Sequence, residues 1–155
     1  MRLSTRTRYG TRLLLDMASH YHTGPVHLAE VAARQGISLK YLEQIIIPLK
    51  KAKYLESVRG PKGGYRLTRP PADITVGEIV ALLEEGDTFL DCSKRPEACE
   101  RAGLCLTRDV WREAAQAMFA HLNTITLADL LHKCQPPATP GGKADVFPPR
   151  HGTLS

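Results

Sequence analysis

The first seventy residues of this 155-residue chain hold no cysteine, and residues 1–69 hold only four acids, Asp16, Glu30, Glu43 and Glu56. No apolar run approaches the length a bilayer crossing needs, so a membrane protein is not expected. The Arg-rich, acid-poor start MRLSTRTRYGTRLLLDMA superficially fits a transit peptide. Its apolar part is short and no small-residue cleavage site follows, so it reads as the first helix of the mature fold. The four cysteines are unevenly spaced and no secretory signal precedes them, which argues against a disulfide framework and for a reducing cytoplasm. No nucleophile, base and orienting group fall into a catalytic pattern, and GPKGG lacks the phosphate-loop spacing, so an enzyme is not expected.

What is present is an uneven distribution of charge. Residues 1–69 carry thirteen Lys or Arg, a net of +9, whereas residues 70–135 carry six bases against eleven acids, a net of −5. The basic half is the one expected to face a polyanion.

Apolar periodicity divides the chain. Leu13, Leu14, Met17, Ala18 and Tyr21 recur at helical spacing and predict a first helix from about Ser4 to His22, stopped by TGP. A short second helix is expected over Leu28 to Gln35, with Gly36 as its stop. Ser38 then caps a third helix, whose stripe Leu42, Ile45, Ile46 and Leu49 leaves Lys40, Glu43, Gln44 and Ile47 opposite; Pro48 should kink or shorten it. YLESVRGPKGGYRLT reads as a hairpin with a basic, glycine-held tip, and DITVGEIVALLEEG as a helix with Thr75 as cap. A long helix from Leu106 to Leu122 has Leu106, Val110, Ala114 and Ala117 on one side and Trp111, Ala115, Met118 and Leu122 on another. Such a helix needs two neighbours, one of them in a second subunit. Thr126 and Asp129 open a last helix, and a Pro/Gly-rich tail follows Cys134.

Two short helices at a tight turn, followed by a basic-tipped hairpin, match a winged helix-turn-helix. The expected class is mainly α with a small β-hairpin wing: a DNA-binding domain over 1–74, a cysteine loop and dimerisation helices over 75–134, and a flexible tail over 135–155. In that geometry the second helix of the pair enters the major groove of double-stranded DNA. Ser38, Lys40, Tyr41, Glu43 and Gln44 are the candidate base-reading residues. Gln44 suits adenine, Lys40 guanine or phosphate, and Glu43 a cytosine amine, although Glu43 paired with Lys40 or Lys50 is the plainer alternative. Arg59 and Lys62, with Arg66, are the wing candidates, Arg59 placed to enter a minor groove, and Arg2, Arg6 and Arg8 meet phosphates.

MRLSTRTRYGTRLLLDMA, GISLKYLEQI, VRGPKGGYRL and ITVGEIV, in this order and followed by clustered cysteines, resemble the IscR, NsrR and CymR family of bacterial winged helix-turn-helix regulators over about residues 1–134. The resemblance implies a homodimer joined through the long helix and bound to a palindromic operator. In IscR-like and NsrR-like members it implies three cysteines holding an iron–sulfur cluster; CymR-like members lack the cluster and act through a partner protein.

Cys92, Cys99 and Cys105, spaced C-x6-C-x5-C, are the candidate ligands, because thiolates are the soft anions such a cluster needs. Structural zinc and free thiols use the same residues and stay open, as do two-iron and four-iron clusters. Relatives complete the cluster with a His, Asp or Glu, and at the matching positions this chain has Arg108, Arg8 and Arg12. Guanidinium cannot ligate. The substitutes are Asp91, Glu100, Asp109, Asp16, His20, His22, Cys134 or an open iron site.

Overall fold

In a computed structural model, residues 3–86 and 104–134 are described. The expectations placed on Arg2, Asp91, Cys92, Cys99, Glu100, the side chain of Cys134 and the 135–155 tail lie outside the described residues.

Helix α1 (Thr5–Ser19) starts where predicted, with the Ser4 hydroxyl accepting the Thr7 N–H at 3.1 Å. It ends three residues before His22, because the Tyr21 and Thr23 N–H groups bond the Ala18 and His20 carbonyls in turns. Helix α2 (Leu28–Gln35) has the predicted bounds, closed by Gly36 at φ +63°, a left-handed cap that glycine adopts without a Cβ clash. Helix α3 (Leu39–Lys51) is capped by Ser38, whose hydroxyl accepts the Tyr41 N–H at 3.3 Å. Its stripe of Leu42, Ile45, Ile46 and Leu49 is buried as expected. Pro48 does not end the helix, which runs on to Lys51. Proline removes one donor, that for the Gln44 carbonyl, while its own carbonyl still accepts the Ala52 N–H at 2.9 Å and Leu49 anchors the turn in the core.

Strands β1 (Leu55–Val58) and β2 (Gly64–Leu67) pair antiparallel, Leu55 opposite Leu67 and Val58 opposite Gly64. Val26 and Tyr65 exchange both backbone hydrogen bonds, at 2.8 and 2.9 Å, so the segment before α2 is fastened to the wing. A 3-10 turn over Pro71–Asp73 leads into α4 (Val76–Leu83), opened by a capping box between Thr75 and Glu78. Helices α5 (Leu106–Leu122) and α6 (Leu127–Cys134) complete the described chain. Thr126 and Asp129 bond reciprocally at the start of α6, as predicted. The Val76 N–H donates to the Ile125 carbonyl at 2.8 Å and the Leu127 N–H to that of Ile74 at 2.9 Å, clasping the starts of α4 and α6 together.

One buried cluster joins Leu13, Leu14 and Met17 of α1 to Leu42, Ile45 and Leu49 of α3, to Ile79 and Leu83 of α4, and to Leu127 of α6. Each such side chain contributes roughly 1.5–3 kcal/mol relative to exposure. Two close approaches set its spacing. A Cβ on Gly10 would fall 2.3 Å from Leu83 Cδ1, and one on Gly77 2.0 Å from Asn123 Oδ1, so glycine lets α4 sit against α1 and against the end of α5.

On α5 the buried residues are Ala115 and Phe119, and Met118 and Leu122 are half-buried. Leu106, Val110 and Trp111 remain exposed, at 87%, 58% and 54%. Trp111 therefore lies outside the core of this chain, and the Leu106, Val110, Ala114 and Ala117 side is the one left uncovered among the described residues.

Candidate functional site

Helix α3 turns its buried stripe to the core and presents the other side to solvent. Ser38, Lys40, Glu43 and Gln44 are all exposed on or beside that side. Tyr41 differs: it is half-buried, with its ring edge-on to Tyr9 at 5.9 Å, so it also ties α3 to α1. Exposed Lys50 and Lys51 extend the basic surface to the end of the helix. The Lys50 ammonium lies 5.6 Å from the Tyr65 ring centre and 3.5 Å from the Ser57 hydroxyl, bridging α3 to the wing.

Arg59 and Lys62 are exposed at the wing tip, which is closed by a bond from the Gly63 N–H to the Gly60 carbonyl. Arg66 is placed otherwise, its Nε donating to Glu56 Oε1 at 2.6 Å across the strands, and is not presented like the tip cations. On α1, Arg8 is exposed and Arg6 is half-buried, 3.4 Å from the Glu85 carboxylate.

A buried polar network, which sequence reasoning missed, holds these parts in register. Asp16 is 1% exposed and accepts hydrogen bonds from Arg34 Nη2 at 2.6 Å, Arg34 Nε at 3.1 Å and Gln35 Nε2 at 2.9 Å. Gln35 in turn accepts from Arg12 at its side-chain oxygen, 2.9 Å, and at its carbonyl, 2.8 Å. The Asp16 bond holds the Arg34 guanidinium above its ordinary pKa against the opposing effect of burial. The network joins the middle of α1 to the turn before α3 and occupies both carboxylate oxygens, which removes Asp16 from the substitute ligands. The signal was an acid set between Leu15 and Met17 in an apolar stretch. Arg12 is likewise committed, stacking 5.5 Å over the Tyr9 ring.

Cys105 is the N-cap residue of α5 and is half-exposed. Its thiol lies 3.3 Å from the Thr107 hydroxyl, and hydrogen bonding from that group, then from the Arg108 backbone, lowers its pKa. That favours thiolate, the form that binds metals and reacts with disulfides. Asp109, another substitute ligand, pairs with Arg112 at 2.8 Å. His20 Nδ1 meets the Asp16 carbonyl at 2.8 Å, and the His22 ring stands edge-on to Tyr21.

The profile of the Rrf2 family, described as "Iron-dependent Transcriptional regulator", matches residues 3–133. The chain belongs to the Rrf2 family. Protein rrf2 of Nitratidesulfovibrio vulgaris is 50% identical over 131 residues, 84% of this chain and 87% of its own length. Among solved structures, T. potens IscR superposes with TM-score 0.72 at 39% identity, covering 87% of this chain and 89% of its own. CymR, the global cysteine regulator of B. subtilis, superposes with TM-score 0.71 at 32% identity, covering 86% and 98%. This Rrf2 protein is thus a DNA-binding transcriptional regulator and not an enzyme, and its six described helices and hairpin form a winged helix-turn-helix. No described helix is long and apolar enough to cross a membrane.

Proposed function

We propose that this regulator is a cytoplasmic homodimer whose operator occupancy depends on an iron–sulfur cluster held by Cys92, Cys99 and Cys105. The observation that carries the reading is the place of Cys105: a residue whose thiol is inclined to thiolate stands at the N-cap position of the helix that packs on α4, and α4 packs on α1. When bound, a cluster supplies an iron centre sensitive to oxidation, nitric oxide and loss. The chain's own residues carry the rest. Reordering at Cys105 moves α5, and the Gly77–Asn123 and Gly10–Leu83 approaches pass the shift to α1. The Asp16 network relays it to the turn before α3, changing the spacing of the two recognition helices on a palindromic operator.

On that operator Ser38, Lys40, Tyr41, Glu43 and Gln44 face the bases, Arg2, Arg6 and Arg8 hold the backbone, and the wing brings Lys62 to the DNA and Arg59 into a minor groove. The uncovered Leu106 and Val110 side of α5, together with exposed Trp111 at its flank, is the dimer seam. The division into a 1–74 DNA-binding part, a 75–134 sensing and dimerising part and a 135–155 tail belongs to the same proposal.

A second reading keeps the fold and replaces the cluster by a thiol/disulfide switch or structural zinc. The lowered thiol pKa of Cys105 serves it equally, and the likeness to CymR favours it. Anaerobic purification with iron and sulfide quantitation separates the two. The cluster reading expects visible absorption lost in the Cys92→Ala, Cys99→Ala and Cys105→Ala variants, and different operator affinities for loaded and cluster-free protein. Colourless protein that resists reconstitution, or equal affinities, rejects it.

A further inference from the structure

Helix α3 exposes two apolar side chains: Leu39, 41% exposed, at its first position, and another set among the polar residues of its solvent side. Ile47 is 66% exposed. At about 100° per residue it lies opposite the buried Leu42, Ile45, Ile46 and Leu49 stripe, with Lys40, Glu43, Gln44 and Lys51 all within roughly 60° of it. A β-branched apolar residue there is doubly unfavourable for the isolated chain, since it loses side-chain rotamers in the helix and leaves hydrocarbon in water.

The surroundings select what can cover it. A protein partner seeks a contiguous apolar patch, and Ile47 stands among charged and amide side chains. Lys40 before it and Lys50 and Lys51 after it are exposed cations, which suit a polyanion. Within a polyanionic major groove, the apolar group at the base edges is the thymine C5-methyl.

We propose that Ile47 is a specificity-determining residue that packs on a thymine methyl in each operator half-site. Its place follows from helix rise. Three residues beyond Gln44 is about 4.5 Å along the axis, against about 3.4 Å between stacked bases, so the thymine lies one or two steps from the base that Gln44 meets. The assignment rests on the reading of α3 as the base-reading helix.

The test begins by selecting operators from random-sequence duplexes with the full chain. Each thymine of the selected site is then replaced by deoxyuridine, which deletes the methyl and keeps every hydrogen-bonding group. Wild type should lose about fourfold in affinity per deleted methyl at one symmetry-related position and be indifferent elsewhere. Ile47→Ala should bind the thymine and uracil duplexes equally, and selection with it should lose the thymine preference there. Ile47→Ser provides a second variant, and because the position is exposed both should melt like wild type. Wild type indifferent to uracil at every position, or Ile47→Ala retaining full thymine sensitivity, overturns the assignment while leaving α3 as reader. A selection yielding no preferred site, with Lys40→Ala and Gln44→Ala binding unchanged, overturns the reader itself and Ile47 with it.

Discussion

Replacing Asp16 by asparagine removes a buried charge at the junction of α1 with the turn before α3. Asparagine keeps the shape but turns one acceptor oxygen into an NH2 group facing the donors of Arg34 and Gln35. Breaking a buried ion pair by removing one partner costs about 3–5 kcal/mol. Here the Arg34 side chain is 30% exposed, so water recovers part of its solvation. A loss below that range, about 2–3 kcal/mol, is therefore expected, equivalent to a midpoint roughly 4–12 °C lower for a domain of this size. Urea unfolding followed by circular dichroism measures it, at unchanged denaturant slope. In an Arg34→Met background the same substitution should cost less by at least about 1 kcal/mol, because the donors it offends are reduced. A loss below about 0.5 kcal/mol in the wild-type background, with no coupling to Arg34, would mean the network is worth no more than a surface pair and would refute the reasoning.

Other expectations concern packing, DNA and assembly. Gly77→Ala should cost about 1–3 kcal/mol in urea unfolding, because its Cβ meets the Asn123 side chain, and Asn123→Ser in the same chain should recover part of the loss. Arg59→Ala should weaken binding to all duplexes and reduce the salt slope by about one unit, whereas Arg66→Ala, already paired with Glu56, should leave the slope nearly unchanged. Val110→Glu should convert dimer to monomer in sedimentation equilibrium with helicity retained; an unchanged mass places the seam elsewhere.

Much of the scaffold was legible because local chemistry decides it. Gly36 and Ser38 punctuate the turn between α2 and α3, Thr75 and Thr126 announce α4 and α6, and the stripe on α3 is buried residue for residue. What escaped depends on partners distant in sequence. Asp16 meets Arg34 and Gln35, eighteen and nineteen positions away, and no periodicity pairs an acid with a base at that separation. Periodicity on α5 grouped its apolar residues by side but could not say which side this chain covers, nor that Phe119 rather than Trp111 would enter the core. Pro48 does not shorten α3, because Leu49 beyond it is anchored in the core. Lys40, Gln44, Arg59 and Lys62, expected from sequence to meet DNA, are exposed, whereas half-buried Tyr41 also packs against Tyr9 and Ile47 stands out as an exposed apolar residue among them.

Buried Phe119 makes a fulcrum for α5, whose far end is held by the clasp between the starts of α4 and α6. From Cys105 to Phe119 the helix spans about 21 Å, while Phe119 to Asn123 adds about 6 Å, so a swing at the sulfur end reaches α4 geared down roughly threefold. On the proposed mechanism, events at Cys105 must therefore be large for the promoter to feel them, and small thermal jostling of that arm is filtered out before it arrives.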